Sequence, residues 1–111
     1  MMWLDLKTIK NYLRIETSNT LEDTNLTLFG ESAETTILNY CDRTVDELKA
    51  MNLVDQTKIP ADIILASLML VEVSYQYNSS VSEHQLYMVP YAFEAKVKPY
   101  MRLERRKGGD S

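Results

Sequence analysis

Apolar and polar positions along the chain recur with the period of helices. In "LDLKTIKNYLR", Leu6, Ile9 and Leu13 return at steps of three and four, while Lys7, Lys10 and Arg14 are available to the other face. Asp5 suits an N-cap with Trp3 and Leu4 packed just before it, so the pattern predicts a short amphipathic helix from Asp5 to Arg14. "IETSNTLEDTN" gathers hydroxyls, amides and acids as a loop does, and Thr20 with Asp23 approximates a capping box. Leu26, Phe29, Ala33, Ile37 and Tyr40 then repeat at helical spacing, with Glu31, Glu34 and Asn39 falling elsewhere, which predicts a second helix from Leu21 to Cys41. Thr44 and Glu47 make a better capping box for a short third helix whose apolar face is Val45, Leu48 and Met51, after which "LVDQTK" returns the chain to loop.

The most apolar stretch is "IPADIILASLMLVEVSYQYNSS", Ile59 to Ser80. Pro60 fits the first turn of a helix, where its missing N–H costs nothing. The uninterrupted run from Ile63 to Val71 contains Ser67 and is stopped by Glu72, well short of the roughly twenty apolar residues that cross a bilayer. Apolar side chains nevertheless occupy most of its circumference, which marks a helix enclosed by others. The following connection, "QYNSSVSEHQLYMVP", is polar but ends on Leu86, Tyr87, Met88 and Val89, a tetrad either folded back onto the core or presented to a neighbour. Pro90 opens a last short helix in which Phe93 and Val97 share a face, and Pro99 ends it near Lys98. The expected fold is all-α: a small single-domain bundle of about four to five helices around a central apolar helix at 59–77. Residues 1–103 would form the domain and 104–111 a flexible basic tail.

Composition supports this and narrows the partners. A chain of 111 residues is one small domain, and 45% hydrophobic and 25% charged residues with three Gly and three Pro describe a helix-rich globule. The net charge of −4 argues against sequence-independent nucleic-acid binding, which needs a basic face. Arg102, Arg105, Arg106 and Lys107 crowd the final eleven residues, giving them a local balance of about +2, either as a solvated tail or as an electrostatic docking element. The single cysteine, Cys41, sits at apolar helical spacing and reads as a buried small side chain in a reducing compartment. Asp5 and Lys7 interrupt the apolar core that a signal peptide would carry, so an intracellular product is expected.

Catalytic signatures are not found. His84 is the one histidine and lies in the polar connection beside Glu83, without a second His or Cys at metal-ligand spacing. There is no GxSxG elbow and no glycine-rich phosphate loop, since Gly30 stands alone in a helical pattern. Neighbouring acids such as Glu22 with Asp23 and Asp46 with Glu47 occupy expected first turns, where the helix dipole stabilises them. No enzyme, cofactor or metal is expected. Seven tyrosines, with Tyr75, Tyr77, Tyr87, Tyr91 and Tyr100 clustered late in the chain, exceed what a small core needs and suit either core packing or an interface.

As an ordered set, "LDLKTIKNYLRIE", "LTLFGESAETTILNYCDRT", "IPADIILASLMLVEVSYQYNSS" and "VPYAFEAKVKPYMRL" resemble the head-tail connector family of tailed bacteriophages, also known as DNA-packaging or head-completion adaptors. The resemblance covers nearly the whole chain. It is carried most specifically by Leu13-Arg14-Ile15, by Pro60 opening a long apolar helix with a Tyr near its end, and by Pro90 followed by Pro99-Tyr100 with Arg102. One departure is Ala92, where the common final motif has glycine.

The resemblance implies a structural, all-helical protomer that forms a homo-oligomeric ring beneath the twelvefold portal, at the virion neck, after assembly in the bacterial host cytoplasm. Such a ring extends the DNA channel, lets duplex DNA pass without specific binding, and offers its far face to a neck or tail-completion protein. Heterologous contacts between identical subunits require two different complementary patches. Expected subunit or portal contacts are Leu86, Tyr87, Met88, Tyr91 and Tyr100, with Arg102, Arg105 and Arg106 docking on an acidic surface. Another neck or tail-completion role is an alternative. A DNA-binding regulator using the helices around Thr44 is a second, disfavoured by the acidic balance and by a candidate recognition helix with only Lys49.

A polar substitution at Leu68 or Leu70 is expected to unfold the protein, whereas Tyr87 or Met88 variants should fold normally and assemble poorly. Circular dichroism melting separates the two classes, and a soluble, folded Leu70→Asp protein would overturn the core assignment.

Overall fold

The structure is a computed structural model that describes residues 1–76 and 91–102. Its described residues form five α-helices: α1 (Leu6–Leu13), α2 (Asp23–Cys41), α3 (Val45–Ala50), α4 (Ala61–Gln76) and α5 (Tyr91–Val97), followed by a 3-10 turn over Lys98–Tyr100. All five expected helices are present and no strand occurs among the described residues.

Local chemistry explains most boundaries. Asp5 caps α1 by accepting from the Thr8 N–H at 2.7 Å, and that bond holds its carboxyl below the ordinary carboxylate range. Arg14 and Asp42 both adopt left-handed backbone, at φ 64 and φ 56, and close α1 and α2. There the N–H groups of Ile15 and Arg43 return to the carbonyls of Lys10 and Leu38, the pattern of a Schellman stop. The Thr44–Glu47 capping box forms as expected: Glu47 N–H donates to Thr44 Oγ1 at 3.2 Å, and Thr44 N–H donates to Glu47 Oε1 at 2.8 Å. Pro60 lies just before α4, and its carbonyl accepts from Ile63 and Ile64.

The start of α2 differs from expectation. Helix geometry begins at Asp23, its N-cap is Glu22 without a side-chain cap bond, and the Thr20–Asp23 capping box does not form. The reason is a competing partner: Lys10 Nζ lies 2.7 Å from Asp23 Oδ1, and it also donates to the carbonyls of Thr17 and Asn19 at 3.2 and 2.7 Å. Lys10 is therefore buried, not on a solvated face. One ammonium ties the α1–α2 connection to both helices it joins.

α4 is the element against which α1, α2 and α5 all pack. Tyr75 near its end donates to Glu22 Oε1 at 2.9 Å, while Ile59 and Ile63 near its start share a cluster with Ile37 and Cys41. α2 and α4 thus run antiparallel. Ile63, Ala66, Leu68 and Val71 are buried along α4, and Leu70 is half-buried against both apolar clusters. The first cluster joins Ile37, Cys41, Leu48, Ile59, Ile63, Ala66, Phe93 and Val97; the second joins Leu4, Ile9, Leu26, Ala33, Leu68 and Val71. Phe93 and Val97 share the inward face of α5 as their spacing indicated. Burial pushes the Cys41 thiol up to about 11, so it remains protonated at neutral pH and behaves as a core side chain.

Glu34 departs most from the amphipathic pattern. Its side chain is 1% exposed, and its carboxylate accepts the backbone N–H groups of Met2, Trp3 and Leu4 at 2.7 to 2.9 Å. A buried carboxylate is tolerated here because charge-assisted bonds fill its oxygens. The clamped segment in turn delivers Trp3, whose indole Nε1 donates to Ser67 Oγ at 2.9 Å, and Ser67 donates to the Ile63 carbonyl at 2.8 Å. The one polar residue within the α4 run therefore has a partner on each side. Gly30 lies one turn before Glu34, and a Cβ there would overlap the Met1 side chain and crowd Ile9 Cδ1 at 3.1 Å. The bare backbone lets the N-terminal segment and α1 approach α2.

Glu34→Ala is expected to cost about 2–3 kcal/mol, because it strands partly buried N–H donors that had a charged acceptor. Urea unfolding of wild type and variant measures this, and a change near zero would show that water replaces the carboxylate without loss.

Candidate assembly interface

The expected interface residues divide between the described C-terminal segment and stretches beyond it. Leu86, Tyr87 and Met88 lie outside the described residues, as do Arg105, Arg106 and His84. Tyr91 opens α5, Tyr100 closes the 3-10 turn, and Arg102 follows.

α5 is held at one end of the molecule by apolar contact and by its margins. Phe93 meets Tyr40 edge-on, with ring centroids 5.8 Å apart and planes at 84°. Tyr40 reaches Glu94 Oε2 at 3.5 Å, and Lys96 lies 3.9 Å from Asp62 on α4. Pro99 lies in the first positions of the 3-10 turn, which carries the chain from α5 toward the end of α2. Tyr100 packs half-buried against the first cluster, with its hydroxyl pushed above the ordinary value by burial and then by Asp62.

Arg102 is engaged within the protomer. Its N–H donates to the Cys41 carbonyl at 3.0 Å, its Nε donates to the Asp42 carbonyl at 3.0 Å, and its Nη2 donates to Glu47 Oε2 at 2.9 Å. The Asp42 carboxylate adds a contact at 3.4 Å from Nε. In the reverse direction, Arg43 Nε donates to the Tyr100 carbonyl at 2.6 Å. Glu47 therefore caps α3 with one oxygen and holds Arg102 with the other, so the planar guanidinium ties the C-terminal segment to the α2–α3 corner. Spacing alone could not show this, since Arg102 and Glu47 are 55 positions apart.

Three tyrosines also have partners inside the molecule. Tyr75 donates to Glu22 at 2.9 Å, while Tyr12 and Tyr40 reach Glu72 and Glu94 at a longer 3.5 Å. All three hydroxyls are held above their usual titration range, Tyr75 mainly by its bond to Glu22 and the other two mainly by burial. Their number thus partly reflects pairing of phenols with acids at helix seams.

Among the described residues, no group of His, Cys, Asp and Glu could hold a metal ion, and no helix is long and apolar enough to cross a membrane. The described surface consists of helix faces and turns without a catalytic constellation.

A family model described as phage gp6-like head-tail connector protein matches residues 4–101. The chain belongs to that family. The match runs from the clamped N-terminal segment through α1–α5 to Met101, so it spans the whole described bundle. No curated protein and no solved structure matches the chain. The connector is thus a structural protein of the phage head-tail joint.

Sequence reasoning missed one exposed feature. Leu53 and Val54, in the loop between α3 and α4, are 100% and 95% exposed, and Leu21 before α2 is 91% exposed. The signal was present as an apolar pair inside the polar stretch "NLVDQTK".

Arg102→Ala and Glu47→Ala should be coupled by about 1 kcal/mol, a modest figure because both side chains are partly open to water. A double-mutant cycle on thermal or urea unfolding measures it, and additivity within error would show that the ion pair does not hold the C-terminal segment.

Proposed function

We propose that this connector assembles as a ring of identical copies beneath the phage portal, extends the DNA channel, and presents its far face to the next neck or tail protein. The observation that carries this reading is the family match across residues 4–101. A twelvefold ring matching the portal, placed at the virion neck after assembly in the host cytoplasm, follows from the same reading. The folded unit is residues 1–103, and residues 104–111 act as a basic tail.

Several features support it. A net charge of −4 lets duplex DNA pass a channel wall without the counterion-release affinity that basic grooves gain. The segment from 79 to 89 and the stretch from Tyr91 to Tyr100 serve as contacts to neighbouring subunits or the portal, with Leu86, Tyr87, Met88, Tyr91 and Tyr100 as the contacting side chains. Because Arg102 is already paired with Glu47 and Asp42, docking on an acidic partner falls to Arg105, Arg106 and Lys107, while Arg102 positions the segment that leads to them. Rigid attachment of that lead-in lowers the ordering cost of docking.

Native mass spectrometry of the full chain, alone and with its cognate portal, is expected to show a closed oligomer bound to the portal. A protein that remains monomeric in both conditions would overturn the ring.

A further inference from the structure

Of the described helices, α3 has the least packing to hold it. It has six residues, too few to persist on propensity alone, and it does not share in the extensive packing that joins α1, α2, α4 and α5. Its one fully buried side chain is Leu48, with Val45 half-buried against the first cluster. The other support lies at its start, in the reciprocal bonds of Thr44 and Glu47.

Glu47 is itself held from 55 positions away. While its Oε1 accepts from the Thr44 N–H at 2.8 Å, its Oε2 accepts from Arg102 Nη2 at 2.9 Å. Arg102 also donates from Nε to the Asp42 carbonyl and from its N–H to the Cys41 carbonyl, both at 3.0 Å. These are terminal carbonyls of α2, a helix with no basic residue in its own last turn. Arg102 thus brings a cation to the negative end of the α2 dipole and, with the same planar group, to the acid that caps α3. Arg43 Nε returns to the Tyr100 carbonyl at 2.6 Å, so bonds cross this corner in both directions.

We propose that the C-terminal segment is a latch on α3: with Arg102 seated between Asp42 and Glu47 the helix is folded, and a pull that draws the segment away melts α3 without touching it. Linkage requires the converse, that loosening α3 weakens the hold on Arg102. The latch is a property of the single protomer and stands whether or not copies form a ring.

Hydrogen–deuterium exchange of the full chain, read at single amides by NMR, tests the latch. Arg102→Ala should speed exchange of the Leu48, Met51 and Asn52 amides about fivefold, the scale of a part-exposed ion pair, while the Ile9 and Ile63 amides change little. Glu47→Gln should do the same, because glutamine keeps an acceptor for the Thr44 N–H and loses the charge that holds Arg102. In the other direction, Thr44→Ala should speed exchange of the Arg102 amide, which donates to the Cys41 carbonyl. Unchanged α3 amides in Arg102→Ala or Glu47→Gln would overturn the latch, as would a rise shared equally by α1 and α4, the mark of a general loss of stability. An Arg102 amide that stays protected in Thr44→Ala while the α3 amides open would overturn it as well.

Discussion

The structure depends on covering α4. A helix with apolar side chains around most of its circumference cannot face water on two sides, and a chain of this length has few elements with which to enclose it. α2 runs antiparallel beside it, Ile9 of α1 and Leu4 just before that helix close over its later half against Leu68 and Val71, and α5 closes over its earlier half with Phe93 and Val97 against Ile63 and Ala66. α1 and α5, of 8 and 7 residues, would be marginal alone, so their stability comes from the faces they bury.

Enclosure traps polar groups at the seams, and the molecule uses them as ties. Glu34 takes three backbone N–H groups, Lys10 joins Asp23 to two loop carbonyls, Ser67 bridges the Trp3 indole to the Ile63 carbonyl, and Arg102 joins the C-terminal segment to Glu47 and Asp42. The Glu34, Trp3–Ser67 and Arg102 ties link segments 30 or more positions apart, while Lys10 pins the connection between neighbouring helices. Unpartnered, these groups would cost the desolvation that their bonds now offset.

For a structural protein of the head-tail joint, this arrangement leaves the outward surface available to assembly. Among the described residues the core is built from Leu, Ile, Val, Phe, Ala and Cys41. Leu53 and Val54 stand exposed on a loop pinned by Asn52 and Asp55, outside both apolar clusters.

Helix number, type and approximate limits were legible in the sequence because they follow from local rules: periodicity for α2 and α4, capping chemistry for Asp5 and for Thr44 with Glu47, and proline before α4 and near the end of α5. Connector membership was legible too, as an ordered set of apolar patterns. The tertiary structure alone decided the fate of Lys10, Asp23, Glu34 and Arg102. A charge at a polar position reads outward until a distant partner is known, and the partners of these four come from other turns and other helices. The same limit hid Leu53 and Val54, since an aliphatic pair in a loop reads the same whether it folds inward or stands in water, and only the folded course of the loop settles which.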